Sequence, residues 1–226
     1  MRRFWIIIVV ICLSNNLFAQ STYRYGTLPS LNLSKKLKNG WKLDSEIESR
    51  QRFRRGTFGE GITDRFKHER VDVALVAAKK VGLNNKIAGG YMIRLTEEKP
   101  RHRVMEQLTL VQVFNAFRMA HRIAADQTFG GEDPLEVRLR YRIGVEFPLN
   151  GLFVDPNEFY FKITHEYLNK FSEGEYDLEA RLVPTLGYLI TDTNKVELAI
   201  DYRVDSFIDG GGANNFWLGM NWYLKL

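Results

Sequence analysis

Apolar and polar residues alternate without a break in residues 135–148, which read Leu-Glu-Val-Arg-Leu-Arg-Tyr-Arg-Ile-Gly-Val-Glu-Phe-Pro. Because the side chains of a β-strand point alternately to its two faces, this pattern predicts one apolar and one charged face. At about 3.3 Å per residue the segment would extend over roughly 46 Å, and a tilt of about 45° would reduce its span to roughly 30 Å. That span matches the hydrocarbon thickness of a bilayer. We therefore expect a membrane-spanning strand with a lipid face and a lumen face.

Strand-like segments separated by turn signals cover the rest of the chain. The sequence predicts eleven of them, at residues 23–37, 41–55, 66–80, 86–97, 102–114, 117–129, 135–148, 158–171, 176–190, 196–206 and 214–226. Asn39 and Gly40 predict a tight hairpin turn, because both residue types accept positive φ. Since lipid leaves no sheet edge unpaired, we expect an antiparallel transmembrane β-barrel of about 10–12 strands.

The strand count and the connections add two further expectations. Bacterial barrels normally close with an even number of strands, so eleven is expected to be wrong by one. Either residues 23–37 split near Pro29 or they do not form a full wall strand. Longer connections alternate with shorter ones, which predicts long loops on the outside of the cell and short turns on the periplasmic side.

The first 19 residues are predicted to be a cleaved signal peptide, with residues 20–226 forming the barrel domain. Basic Arg2 and Arg3 precede an apolar run over residues 4–13, and Ala19 supplies a small residue for cleavage. The only cysteine, Cys12, lies in that run, so the mature chain is expected to hold no disulfide. Export followed by barrel formation places the protein in the outer membrane of a Gram-negative bacterium.

A soluble periplasmic β-barrel or sandwich that binds a ligand stays open as an alternative. Alternation alone would also fit charged faces in water and apolar faces in a core. The predicted strands are mostly twelve residues or longer, whereas strands of soluble proteins usually have about five to six residues, and this favours the membrane.

Charged residues occupy the predicted inward faces. Residues 41–55 are charged along the whole inward side, ending with Arg50, Arg52 and Arg54. Over the cleaner strands we count sixteen basic and thirteen acidic inward positions. The expected lumen lattice consists of Asp44, Glu46, Glu48, Arg50, Arg52, Arg70, Arg122, Asp126, Glu136, Arg138, Arg140, Arg142, Glu146, Glu179, Arg181, Asp201 and Arg203.

Near balance of the two signs indicates cross-strand pairing of Arg with carboxylates, which would largely fill and stiffen the lumen. A channel for anionic solutes would show a ladder of one sign. A narrow pore for small polar solutes remains the alternative, because barrels of this size lie between filled and open ones.

The sequence gives little support for catalysis, for a cofactor or for nucleic-acid binding. The formal charge of +5 includes Arg2 and Arg3, and the signs are interspersed along the chain, which argues against nucleic-acid binding. None of the histidines has a serine within a few residues, although a base and a nucleophile could still meet across strands. His165 with Glu166, and His102 with Glu106, have metal-like spacing, but adjacent strand residues face opposite sides. We predict no enzyme, metal or cofactor.

Partners are expected at the rims and in the surrounding membrane. Outer-membrane lipid would surround the barrel, and the barrel-assembly machinery would bind the C-terminal strand, although Leu226 replaces a terminal aromatic residue. Two interpretations stay open for the basic residues around the first long loop: contact with lipopolysaccharide phosphates, or a solvated loop. These residues are Arg52, Arg54, Arg55, Arg65 and Lys67.

Several short motifs resemble a known family, the bacterial outer-membrane proteins grouped as "domain of unknown function 2490". The matching motifs are Ser34-Lys35-Lys36-Leu37 before Trp41, Glu46-Ile47-Glu48-Ser49-Arg50, Arg122 with Asp126-Gln127, Arg138-Leu139-Arg140-Tyr141-Arg142 before Phe147-Pro148-Leu149, and Glu179-Ala180-Arg181 before Gly187-Tyr188. The resemblance implies an outer-membrane β-barrel. It implies no catalytic or ligand-binding residues.

Overall fold

The chain folds as an all-β barrel. The computed structural model describes residues 22–206 and 212–226. Its strands are β1 (Thr22–Lys36), β2 (Trp41–Thr57), β3 (Gly61–Asp64), β4 (Lys67–Val81), β5 (Asn85–Leu95), β6 (Arg101–Val113), β7 (Arg118–Phe129), β8 (Glu136–Pro148), β9 (Glu158–Ser172), β10 (Glu175–Thr191), β11 (Asn194–Asp205) and β12 (Ala213–Lys225). Eleven of these strands form a closed wall, and β3 pairs only with the end of β2. The predicted all-β barrel is confirmed.

The wall closes through a parallel pairing of β1 with β12, whereas the other neighbouring strands pair antiparallel. Successive antiparallel strands alternate in direction, so the first and last of eleven point the same way and can only pair in parallel. The prediction that the wall has an even number of strands, and not eleven, was therefore wrong.

Residues 22–36 form one wall strand of 15 residues that runs through Pro29. Leu28 and Pro29 have no register partner on β2 in the described wall: Thr27 pairs with Gln51, and the pairing resumes at Ser30. Proline has no N–H to donate to a ladder, and this explains why the pairing is interrupted locally without ending the strand.

The two ends of the barrel are named here by their connections. The connections β2–β4, β5–β6, β7–β8, β9–β10 and β11–β12 lie at the loop rim, and the others lie at the turn rim. The expected alternation of long and short connections is broken twice. Residues 173–174 make a tight turn at the loop rim, and the nine residues 149–157 form a long connection at the turn rim. Because the strand number is odd, β1 begins at the loop rim and β12 ends at the turn rim.

The wall carries its apolar side chains outside and its charged side chains inside. Among the described residues, forty-two large apolar or aromatic side chains are exposed, while only eight apolar residues are buried against sixteen buried polar or charged ones. On β8, Leu139 and Tyr141 are exposed and Arg138 is buried, as the alternation predicted.

One inward prediction fails at a β-bulge near the end of β2. Tyr25 pairs with Arg54 and Gly26 with Arg52, so one extra residue, Phe53, stands between the two pairs. The extra residue reverses the order of the faces from that point on. Arg54 is therefore exposed on the outer side and not inward as expected.

The hairpin predicted at Asn39 and Gly40 is confirmed, with φ values of 58° and 75° in the turn between β1 and β2. In the part of the chain that the structure describes, no helix is long and apolar enough to cross a membrane. The predicted signal peptide, including Cys12, lies outside the described residues.

Candidate functional site

The charged strand faces enclose a polar cavity of about 510 Å³. Twelve of the seventeen expected lattice residues line this cavity: Asp44, Glu46, Glu48, Arg50, Arg70, Arg122, Arg138, Arg140, Arg142, Arg181, Asp201 and Arg203. Of the other five, Arg52, Asp126, Glu136 and Glu179 lie toward the loop rim, and Glu146 lines a separate pocket at the turn rim. The inner wall thus brings twelve of the seventeen predicted residues together around one internal space.

Side chains fill the half of the barrel nearer the loop rim. The buried residues there include Arg50, Arg52, Asp72, Arg103, Asp126, Thr128, Arg138, Leu168, Glu179, Arg203, Asn215 and Trp217. Trp217 is 1% exposed, and the guanidinium carbon of Arg50 lies 4.6 Å from its ring centroid, a cation–π distance. We refer to these residues as the packed layer.

Asp126 is the anionic centre of the packed layer, and its side chain is 0% exposed. Its Oδ1 accepts a hydrogen bond from Arg138 Nε at 2.6 Å, and its Oδ2 lies 2.8 Å from Arg140 Nη2. Arg103 Nε lies 3.4 Å from Oδ1 and also donates to Thr128 Oγ1 at 2.9 Å. One carboxylate therefore forms ion pairs with three guanidinium groups.

Arg103 is a lattice member that the sequence analysis missed. The faces of residues 102–114 alternate poorly, because Glu106 lies on the same face as Val104 and Leu108. Arg103 shares its parity on β6 with Met105 and Gln107, which line the cavity, so the structure places it inward where the sequence pattern did not decide the face.

A second buried carboxylate, Glu166, lies in a row of basic residues on consecutive strands. The register places Arg122 opposite Arg142, Arg142 opposite Glu166, and Glu166 opposite Arg181, and the row continues to Arg203. Glu166 Oε2 accepts a hydrogen bond from Arg142 Nε at 2.6 Å, and Oε1 lies 3.2 Å from Arg181 Nη1. Arg122 approaches this carboxylate only to 3.9 Å.

The acidic residues of β2 face this row from the other side of the cavity. Lys42 contacts Asp44 at 2.6 Å, but Glu46 and Glu48 have no ion pair within 4.0 Å in residues 22–206 and 212–226. Glu46 instead interacts electrostatically with Arg122 and Arg142 across the cavity. Glu46 and Glu48 on one side of the cavity are therefore separated by open space from Arg122 and Arg142 on the other.

The side of the turn-rim half formed by β9, β10 and β11 is packed around Glu197. This carboxylate accepts hydrogen bonds from Tyr160 at 2.6 Å, Lys162 at 2.6 Å and Lys195 at 2.8 Å. The Tyr160 ring lies over Gly187, where a Cβ atom would come within 2.1 Å of the ring. Only glycine fits there, and the remaining open space lies on the side formed by β6, β7 and β8.

The described histidines do not combine into a metal site. His165 and Glu166 have opposite parity on β9, and Glu166 is the inward member. The Tyr91 hydroxyl lies 2.5 Å from His102 Nδ1, and the Tyr141 hydroxyl lies 2.8 Å from His121 Nδ1. Within the described ranges, no three potential metal-ligating side chains come together.

One serine and one histidine meet across strands. Ser49 Oγ lies 3.2 Å from His68 Nε2 on the exposed face, although the residues are 19 positions apart. Local spacing could not reveal this contact, because the β2–β4 register creates it. Within the part of the chain that the structure describes, no third side chain hydrogen-bonds to Nδ1 of His68.

The basic residues at the first long loop do not act as one cluster. Arg52 is buried and contacts Asp64 at 2.6 Å and Glu69 at 3.2 Å, whereas Lys67 pairs with Glu97 at 3.1 Å. The main-chain N–H of Arg65 and the nearby Arg52 guanidinium hold the pKa of the exposed Asp64 below its ordinary value. Only three of the five expected residues, at positions 54, 55 and 65, present exposed guanidinium groups at this rim.

Comparisons with known proteins address the family of the chain. No curated protein and no solved structure matches it. The family model described as "Protein of unknown function (DUF2490)" matches residues 25–214, which cover nearly all of the barrel wall from β1 to the start of β12. The motifs on the inner faces of β2, β7, β8 and β10 lie within that match. The chain therefore belongs to the DUF2490 family of proteins of unknown function.

Proposed function

We propose that this protein is a non-catalytic outer-membrane β-barrel whose interior is closed toward the loop rim by a lattice of ion pairs. The observation that carries the proposal is the reversed polarity of the wall, with apolar side chains exposed and charged side chains buried. Exposed apolar surface of this extent is unfavourable in water but matches lipid.

Two belts of aromatic residues on the outer face support a membrane location. The loop-rim belt includes Tyr25, Phe53, Phe66, Tyr91, Phe129, Phe171, Tyr176 and Phe216, and the turn-rim belt includes Trp41, Phe114, Phe147, Phe159 and Trp222. On β9, twelve residues separate Phe159 from Phe171, which is about 40 Å along the strand and about 28 Å after a 45° tilt. This spacing agrees with the apolar band of outer-membrane barrels, which is roughly 25 Å tall and flanked by aromatic girdles.

The packed layer supports a lumen that does not conduct. Trp217 and Leu168 are almost fully buried, and the buried Asp126 carboxylate pairs with three arginines, so the half of the lumen nearer the loop rim holds packed side chains. Such interactions act in a low-dielectric setting and hold a single arrangement.

Conductance in a planar bilayer tests the closed lumen. The protein, folded in detergent, is expected to migrate differently in gels before and after heating and to add no steady current steps to the bilayer. Ion-selective steps from protein with the folded migration would overturn the closed lumen and support the narrow pore instead. Absence of heat-modifiable migration would count against the membrane barrel itself.

The Ser49–His68 pair is expected to be unreactive. Within the described residues no side chain hydrogen-bonds to Nδ1 of His68, so the pair lacks the third group that orients the base in a catalytic triad. A fluorophosphonate probe should therefore leave the wild type and a Ser49→Ala variant equally unlabelled. Labelling of the wild type that the Ser49→Ala variant loses would show a nucleophile and contradict the absence of catalysis.

A further inference from the structure

Arg122 and Arg142 form an unusual pair of like charges. They lie directly opposite each other on β7 and β8, an arrangement that is destabilising unless an anion neutralises it. Arg122 makes no hydrogen bond with another described residue, and its nearest carboxylate oxygen is 3.9 Å away on Glu166. The five N–H donors of this guanidinium thus have no hydrogen-bond acceptor among the described residues.

The buried carboxylates do not supply enough negative charge for this wall. Glu166 is shared by Arg122, Arg142 and Arg181, while Asp126 is already occupied by its own three arginines. Glu46 and Glu48 lie across the cavity, beyond ion-pair distance. The arginine side of the cavity therefore keeps a positive excess.

The open space next to this pair is reached from the turn rim. A rim pocket of about 250 Å³, lined among others by Thr109, Arg118 and Glu146, lies beside the internal cavity. Both spaces are lined by Arg122, Arg142, Lys162 and Thr164. Small residues keep this route open, because Ala120 and Gly144 lie opposite each other between the two arginines and the rim.

We propose that the Arg122–Arg142 pair binds a small multivalent anion of the phosphate class, which enters from the turn rim. Planar guanidinium groups match phosphate oxygens bidentately, and a cleft with walls of low dielectric strengthens the attraction. Glu46 would act as the competing internal anion across the cavity. The inference rests on the barrel interior alone, so it stands or falls independently of the membrane location and of conductance.

Calorimetric titration of the folded protein with sodium pyrophosphate tests the site. In non-ionic detergent at low ionic strength, we expect saturable binding of one anion per barrel. Arg122→Gln should weaken this binding at least about tenfold, as expected for the loss of one charge-assisted contact of about 1.4 kcal/mol or more. Glu46→Gln should strengthen the binding, because it removes the competing carboxylate.

The matched control is Arg24→Gln. Arg24 has the same side-chain exposure as Arg122, 30%, and the same charge, but it lies near the loop rim and pairs with Asp205 at 3.2 Å. Its loss should change the affinity less than about twofold. Equal weakening by Arg24→Gln and Arg122→Gln would show only a general charge effect and overturn the site, as would no saturable binding by the wild type.

Two further probes keep the test decisive. If Arg122→Gln does not give heat-modifiable migration, Arg122→Lys keeps the charge but removes the fork, and it should still weaken binding by several fold; unchanged affinity would overturn the site.

Phosphorylethanolamine separates a free phosphate from a phosphorylated headgroup carrying an amine. If this probe binds the Glu46→Gln variant more weakly than the wild type, the result favours the headgroup. If it binds the variant more strongly, the result favours the simple anion. In either case the probe must occupy the site at Arg122.

Discussion

Replacing Asp126 by asparagine is expected to lower the free energy of unfolding by about 3–5 kcal/mol, the range found when one partner of a buried ion pair is removed. The asparagine would fill the same volume, so the change isolates the charge. Arg103, Arg138 and Arg140 would then be left without their shared anion. Urea unfolding of the barrel in lipid vesicles, followed by tryptophan fluorescence, measures the loss.

Asp133→Asn provides the control for this variant. Asp133 contacts Arg101 at 2.9 Å, but its side chain is 60% exposed. Exposed pairs of this kind contribute at most about 1 kcal/mol, because water and salt screen them. Equal stability of the Asp126→Asn variant and the wild type would contradict the central place of Asp126 in the interior lattice.

Replacing Ile200 by arginine is expected to destabilise the folded barrel by about 2–4 kcal/mol if the outer face lies in lipid. Ile200 is in the middle of β11, is 57% exposed, and pairs with Leu218, which is also exposed. In water, the same substitution at an exposed position would change stability by no more than about 0.5 kcal/mol. The two environments therefore predict clearly different results.

Leu83→Arg is the matched control for the lipid face. Leu83 is more exposed than Ile200, at 85%, but it lies in the β4–β5 turn outside the apolar band. Its replacement should leave unfolding unchanged in vesicles. If both variants match the wild type, the outer face does not lie in lipid, and the membrane proposal fails while the barrel fold stands.

The inward face of each strand follows from the sequence, but the contacts between inward side chains do not. Alternation placed Arg138, Arg140 and Arg142 on one face, because the period of two is a local property of a strand. The alternation could not show that Asp126 pairs with three arginines, whereas the guanidinium of Arg122 has no hydrogen-bond acceptor among the described residues. That distinction depends on which strands are neighbours and on their register.

The amino-acid sequence by itself determined the class of this protein. Long strands of period two, turn residues such as Asn39 and Gly40, and the family motifs lead to an all-β barrel with a charged side and an apolar side, because these are local consequences of chain geometry. Only the tertiary structure decided the rest. Parallel closure of eleven strands, the outward turn of Arg54, and the meeting of Ser49 with His68 arise from pairings between distant segments, which local periodicity does not encode.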